Sequence, residues 1–162
     1  MTRILVTGSA GAGKSTLSKE VAHKTGLPLF SLEKIVWKEH WQKVPREERK
    51  QKTQELIAQD DWVIDGVDND VLAAADVVVF LDVPRRVCFY RVAKRNWRYL
   101  LSSRPDLPEH CPEILIIPKL IKIIWRFPSR MKPAILENKA QGKSTFIHLR
   151  HNQQREDYLK SL

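Results

Sequence analysis

The sequence has few cysteines and no long apolar run, and each absence excludes a class of protein. Its two cysteines, Cys88 and Cys111, stand apart without C-x-x-C spacing, which argues against a disulfide framework or a zinc site. The most apolar window, 114–127, is interrupted by charged residues and is shorter than the roughly 20 residues that a membrane-spanning helix needs. With no secretory segment before the first predicted strand, we expect a soluble, cytoplasmic protein without a membrane partner.

Acidic residues are scarce between positions 85 and 132. This segment contains twelve lysines and arginines but only three acids, so its net charge of +9 equals that of the whole chain. A local surplus of this kind is typical of a surface that meets a polyanion, either nucleotide phosphates or nucleic acid. A solvated basic face without a partner is the alternative. The length of 162 residues predicts one domain, 1–162, with a substantial core.

A complete phosphate-binding loop occupies residues 8–15, with the sequence Gly-Ser-Ala-Gly-Ala-Gly-Lys-Ser. The β-branched apolar run before the loop predicts a strand, and apolar residues at helical spacing after it predict a helix. Strand, loop and helix therefore follow one another in the order that is typical of such a loop. Its glycines allow backbone N–H groups to turn around phosphate oxygens at the positive end of the helix. A second Gly-Lys-Ser-Thr at 142–145 precedes a predicted strand instead, and we interpret that copy as a coincidence.

The motif predicts a role for each side chain of the loop. Lys14 would reach the β- and γ-phosphates of ATP, and the Ser15 hydroxyl would bind Mg²⁺. The residues predicted to hold the nucleotide are Gly8, Gly11, Ala12, Gly13, Lys14, Ser15 and Thr16. Phosphoryl transfer also needs a carboxylate near the metal, at the end of a strand beside the loop strand. Asp65 is favoured because Gly66 permits a close turn after it, and Asp82 is the second choice.

Short apolar runs predict strands at 3–7, 29–32, 62–65, 77–82 and 145–149, and segments with helical periodicity lie between them. This alternation predicts an α/β fold, in which a parallel sheet carries helices on both faces. After the helix that follows the loop, the patterns predict helices at 45–59, 84–99, 114–127, 134–141 and 153–162. The prolines near 128–133 predict a break between two of these helices.

Two further groups of side chains are candidates for the site. Arg91 and Arg95 lie one helical turn apart, so their guanidinium groups would share a face and could hold phosphates. A salt-bridged, exposed face is the alternative for this pair. Glu33, Trp37 and Trp41 have i, i+4, i+8 spacing, which on a helix would form a pocket for a flat, hydroxyl-bearing acceptor. Aromatic packing under a loop is the alternative for this group.

Taken together, these motifs resemble the adenylate-kinase-related P-loop kinases, and most closely the bacterial DNA topology modulation proteins. Beyond the loop, the resemblance rests on the segments 32–38, 62–66, 80–84, 90–95, 104–106, 111–113 and 125–128, and on Trp41. It implies a three-layer P-loop NTPase fold with a five-stranded parallel sheet in the order 2-3-1-4-5. It also implies that residues 85–132 form a small basic helical lid that closes over phosphates.

The resemblance carries further implications for single residues. Asp65 would serve the metal through water, while Arg91 and Arg95 would flank the lid. Glu33 stands where the family usually has Asp, and only residues 67–76 separate Gly66 from the fourth strand, where relatives carry a longer segment. The acceptor side of the site is therefore shortened, whereas its ATP side is complete.

The leading hypothesis is an ATP-binding phosphotransferase that moves the γ-phosphate to a small nucleotide-like or hydroxyl acceptor, with ATP and Mg²⁺ as cofactors. Its catalytic residues would be Lys14, Asp65, Arg91 and Arg95. The alternative is a basic, nucleic-acid-associated P-loop ATPase or regulator with little or no kinase activity. In that case the segment 85–132 would engage DNA or RNA.

Overall fold

A computed structural model of the protein describes residues 2–38, 42–98 and 115–162. Its strands are β1 (Thr2–Gly8), β2 (Leu29–Ser31), β3 (Asp61–Asp65), β4 (Val77–Leu81) and β5 (Thr145–Leu149). All neighbouring strands pair in parallel, in the order β2-β3-β1-β4-β5. The predicted α/β class and strand order are confirmed. Trp41, Cys111 and the centre of the predicted lid, 99–114, lie outside the described residues.

The described part of the chain contains eight helices that connect or flank these strands. They are α1 (Lys14–Thr25), α2 (Leu32–Val36), α3 (Arg46–Ile57), α4 (Asn69–Ala74), α5 (Arg85–Arg98), α6 (Ile117–Arg130), α7 (Lys132–Gln141) and α8 (Asn152–Ser161). No helix within the described ranges is long and apolar enough to cross a membrane.

The sheet separates two hydrophobic cores because alternate residues of each strand face opposite sides. Val6 belongs to a core that α1, α5, α6 and α8 cover, whereas its neighbour Leu5 belongs to a core that includes side chains of α4 and α7. Helix α6 contributes to both cores, through Ile124 on one side and Phe127 on the other. The apolar run of β4 is buried on both faces, as its sequence predicts.

The predicted break between the two helices is present but much shorter than 128–133, because α6 continues through Pro128 to Arg130 and only Met131 separates it from α7. A proline within a helix removes one backbone hydrogen bond and crowds the preceding turn. Only two residues of α6 follow it, however, and the buried Ile124 and Phe127 hold the helix against the sheet. Tertiary burial therefore outweighs the local preference here.

The short helix α4 was not predicted, since the segment 67–76 has little helical periodicity. Its start is nevertheless encoded by a capping residue. The Asp68 carboxylate accepts hydrogen bonds from the backbone N–H groups of Asp70, at 2.8 Å, and Val71, at 3.2 Å. The connection between β3 and β4 thus contains an ordered short helix.

The phosphate-binding loop lies directly against α5 at Gly11. A Cβ atom at this position would come within 2.7 Å of the Cys88 carbonyl oxygen and 2.8 Å of Val92 Cγ2. The φ angle of +77° is also one that other residues rarely adopt. Gly11 is therefore needed both for the turn and for the contact between the loop and α5.

Replacing Gly11 by alanine should lower the free energy of unfolding more than the same change at Gly26. Gly26 has a similar φ of +71°, but a Cβ atom added there would have no heavy atom within 4 Å, so Gly26→Ala isolates the cost of the backbone conformation. We expect about 1 kcal/mol for Gly26→Ala and about 2–4 kcal/mol for Gly11→Ala, because the latter adds a steric clash. Urea unfolding measures both values, and equal losses would contradict the contact with α5.

Candidate active site

Two acidic residues stand on either side of the phosphate-binding loop at the carboxyl edge of the sheet. The loop follows β1, which pairs with β3 on one side and β4 on the other. Asp65 is the last residue of β3, and Asp82 directly follows β4. Parallel pairing therefore places both predicted carboxylates next to the loop, as expected for ligand sites in α/β sheets.

Helix α1 begins with its first backbone N–H groups directed to the loop. Its N-terminal cap, Gly13, has a left-handed conformation, and no side chain of the described residues caps the helix. An uncapped helix start offers donors and a partial positive charge to phosphate oxygens. The local backbone thus has the features of an anion site.

The Ser15 hydroxyl and the Asp65 carboxylate are in direct contact. Ser15 Oγ donates a hydrogen bond of 2.6 Å to Asp65 Oδ2, and Asp65 is only 4% exposed. Hydroxyl and carboxylate oxygens are the ligands that Mg²⁺ accepts, usually together with phosphate oxygens and water. Ser15 and Asp65 could therefore supply the protein part of such a site. The described residues contain no group of three or more His, Cys, Asp or Glu side chains that could hold a metal ion.

Basic side chains reach the loop from two directions. Lys14 Nζ donates to the Ser9 carbonyl oxygen at 3.1 Å, so this lysine lies across the loop that it follows. Arg91 of α5 donates from Nη1 to the Ala12 carbonyl oxygen at 3.0 Å. The structure thus brings Lys14 and Arg91 to the loop, while Arg95 lies one turn further along α5 and is half-buried.

Asp82 has different partners from Asp65. Both of its carboxylate oxygens accept 2.8 Å hydrogen bonds from Lys132 Nζ, and Oδ2 lies 3.0 Å from His148 Nε2. Burial would raise the pKa of Asp82, but the hydrogen bonds from Lys132 and His148 outweigh it and hold that pKa below its ordinary value. This carboxylate connects the end of β4 to α7 and β5.

A cavity of about 320 Å³ opens beside the loop. Ala12, Gly13, Val83, Pro84 and Val87 form one wall. The opposite wall contains residues that the sequence reasoning did not select, namely Arg150, His151, Asn152 and Arg155. Their signal was their position after β5, because residues that follow parallel strands converge on the same edge of the sheet. The cavity has space and polar groups for the nucleoside part of a nucleotide.

The predicted acceptor face of Glu33, Trp37 and Trp41 is wrong as a helical arrangement. Helix α2 ends at Val36, and Trp37 has an extended backbone that forms an antiparallel bridge with Lys43. Glu33 and Trp37 therefore do not share a helix face, and Trp41 lies outside the described residues. The bridge pairs two residues six positions apart in extended conformation, which helical spacing alone does not reveal.

Gly66 has a packing role that differs from the one expected. A Cβ atom there would lie 2.6 Å from Cδ1 of Leu32, the first residue of α2. The glycine thus allows α2 to pack against the backbone that follows Asp65. The start of α2 and the end of β3 are held together at the site.

The Asp82 network should make stability depend on acid pH. Because the pKa of Asp82 is lower in the folded chain, its contribution is complete above the ordinary aspartate pKa and is lost as pH falls through the folded value. We expect Asp82→Asn to lower the free energy of unfolding by about 1–3 kcal/mol at pH 7, with the difference from wild type shrinking as the pH falls below the ordinary aspartate pKa. Urea unfolding across this range measures it.

The matched control is Asp60→Asn, since Asp60 is exposed in the turn before β3. This change should alter the unfolding free energy by less than about 0.5 kcal/mol at every pH. A pH-independent effect of Asp82→Asn would contradict the assignment of a charged network.

Comparisons with known proteins agree with this geometry. A family model described as AAA domain matches residues 4–100, which is more than half of the chain. The chain is similar in structure to shikimate kinase from Bacteroides thetaiotaomicron, with a TM-score of 0.62 and 21% identity over 99% of this chain and 95% of that one. It is also similar to shikimate kinase from Acinetobacter baumannii in complex with shikimate, with a TM-score of 0.63 and 16% identity over 99% and 90% of the two chains.

At these identities the similarity concerns the fold, which is that of the P-loop NTPases. Comparison with curated proteins gave no match. The family match covers the phosphate-binding loop, Asp65, Asp82 and α5. The chain therefore belongs to the AAA domain family.

Proposed function

We propose that this protein is a Mg·ATP-dependent kinase that transfers the γ-phosphoryl group to a small nucleotide-like or hydroxyl acceptor. The observation that carries the proposal is the 2.6 Å hydrogen bond between Ser15 and Asp65 at the end of a phosphate-binding loop. This pair combines the hydroxyl and the carboxylate that P-loop enzymes use for the metal. The fold shared with two shikimate kinases, which are kinases by name, supports the same class of reaction.

The chain's own residues supply positioning and charge neutralisation, which account for most of phosphoryl-transfer catalysis. The loop N–H groups would hold the β- and γ-phosphates, with the nucleoside in the cavity beside Arg150 and His151. Lys14 would exchange the Ser9 carbonyl for phosphate oxygens, since an ammonium group prefers an anionic partner. Bound Mg²⁺, held by Ser15 and Asp65, would supply orientation and charge neutralisation of the phosphates.

Two predicted groups keep their proposed roles in this scheme. Arg91 lies against the loop and would bring a second positive charge to the phosphates, with Arg95 behind it on α5. Glu33 lies in the first turn of α2, directly after β2, and would contact the acceptor. On the motifs shared with them, we further propose that the chain is related to the adenylate-kinase-related kinases, nearest the DNA topology modulation proteins.

The two carboxylates allow a matched test of the proposed active site. Asp65→Asn should lower the rate of transfer from labelled ATP by about 100-fold, because it removes an anion next to Ser15. Asp82→Asn should change the rate by less than about fivefold when measured below its unfolding temperature, since Asp82 is bound to Lys132. Nucleoside monophosphates, nucleosides and small alcohols form the acceptor panel.

Lys14→Ala should abolish transfer and weaken nucleotide binding in the same assay. Background hydrolysis across the whole panel with wild-type protein would contradict the kinase proposal. A larger rate loss for Asp82→Asn than for Asp65→Asn would reverse the assignment of the two carboxylates. Both results are read from the same labelled-ATP measurement, with protein folding checked by thermal unfolding.

A second candidate function is the binding of nucleic acid through the basic helices. Helices α5 and α6 contain ten lysines and arginines and no acidic residue. Three aromatic side chains on them are largely exposed, at 66% for Tyr90, 79% for Trp97 and 62% for Trp125. Exposed aromatic rings among cations are typical of surfaces on which unpaired bases stack.

The affinity for a single-stranded oligothymidylate should fall with salt if this surface binds nucleic acid. We expect the combined change Arg86→Gln and Lys94→Gln, on the exposed part of α5, to reduce the slope of log affinity against log salt by about 1 to 2. Fluorescence anisotropy from about 25 to 300 mM salt measures the slope, a range set by the strong salt dependence of phosphate contacts. No binding at the lowest salt would exclude this second function.

A further inference from the structure

A second cavity, of about 380 Å³, is lined by residues of α6, by Met131 after it and by Lys43. Its apolar wall is formed by Ile123, Phe127 and Met131. Five cationic side chains complete the lining, namely Lys43, Lys119, Lys122, Arg126 and Arg130. No acidic side chain of the described residues lines this cavity, which sets it apart from an ordinary solvated face with mixed charges.

The cations converge because four of them follow one face of α6, at spacings of three and four residues. Lys43 reaches the same cavity from the opposite side. Lys119 Nζ lies 3.8 Å from the centroid of the Trp37 ring, and Lys43 Nζ lies 5.9 Å from the same centroid. The ammonium groups of Lys119 and Lys43 therefore both lie near the Trp37 indole.

The electrostatic cost of this arrangement is visible at Lys119. Burial, and then the nearby charge of Lys43, lower the pKa of Lys119 from its ordinary value. Like charges close to a partly buried cation such as Lys119 repel one another until an anion neutralises them. An anionic group that enters the cavity would remove this repulsion.

The cavity is also close to the phosphate-binding loop. Phe127 lines it on one side and, on the other, lines a small cavity of about 130 Å³ that includes Ser9 and Asp82. Ser9 is the residue whose carbonyl oxygen accepts the hydrogen bond from Lys14. The cationic cavity and a space that borders the loop therefore share Phe127 as a lining residue.

We propose that this cavity binds a small ligand with a phosphate or carboxylate group on an apolar body, and that this ligand is the phosphoryl acceptor. The cations would hold the anionic group, while Ile123, Phe127 and Met131 contact the apolar body. The identification with the acceptor rests on the proposed kinase function, whereas the anion site rests on the cavity alone.

The test is isothermal titration calorimetry on the full chain, with Mg²⁺ and a non-hydrolysable ATP analogue present in excess to fill the loop. The probes are phenyl phosphate, phenylacetate and phenol, which share an aromatic body and differ in charge. We expect phenyl phosphate or phenylacetate to bind at one site per chain, and the tighter of the two identifies the anionic group. Phenol should bind at least about tenfold more weakly than the tighter anion.

Two double variants with the same loss of charge separate the cavity from general electrostatic attraction. Lys122→Gln with Arg126→Gln should weaken binding of the tighter anion by at least about tenfold. Arg86→Gln with Lys94→Gln, on α5 outside the cavity, should change it by less than about twofold. All four side chains are exposed, so both variants should keep the thermal transition of wild type.

Equal weakening in the two double variants, or no binding of either anion to wild-type protein, would overturn the proposed site. The calorimetry involves no turnover and therefore gives a result independent of the kinase assay. Binding that depends on the cavity together with no phosphoryl transfer would contradict the kinase function alone. Transfer that Lys122→Gln with Arg126→Gln leaves unchanged would contradict the identification of the ligand as the acceptor.

Discussion

The hydrogen bond between Ser15 and Asp65 joins two parts of the chain that are fifty residues apart, and the rest of the site is arranged around it. It can form only because β3 is the parallel neighbour of β1, so that the end of one strand faces the loop after the other. The sheet order is thus a requirement of the chemistry as well as of packing. Helix α2 also begins close to this hydrogen bond, because its first residue, Leu32, packs against Gly66, which directly follows Asp65.

The positive charge of the segment 85–132 divides into groups with different partners. Arg91 contacts the loop and Lys132 neutralises Asp82, so these two cations are bound within the protein. Arg85 lies over the Trp125 ring at 5.0 Å from its centroid. The cations along one face of α6 converge on a cavity instead. One basic segment therefore combines structural, loop-binding and cavity-lining side chains.

The strands could be predicted from their short apolar runs, and β5 was predicted with the bounds that it has, whereas the strand order was implied by the resemblance to the P-loop kinases. Asp65 could be selected because the loop and the strand end follow local rules. The bridge between Trp37 and Lys43 could not be predicted, since it is a backbone pairing that the spacing of side chains does not encode. Arg150 and Arg155 follow the predicted strand β5, but which strands are neighbours decides that they line the cavity beside the loop, and the side-chain types alone do not show it. The helical course through Pro128 likewise depends on the burial of its neighbours.

The close approach of Gly11 to Cys88 and Val92 has a consequence for how this fold can change. The loop packs so closely against α5 that a Cβ atom added at Gly11 would clash with the helix. The hydrogen bond from Arg91 to the Ala12 carbonyl oxygen joins the two segments a second time, next to this contact. A loop taken from a relative would therefore not be an interchangeable module, because its fit depends on the helix that it meets. Substitutions in the two segments should be strongly epistatic, with each tolerated only in combination with a matching change in the other.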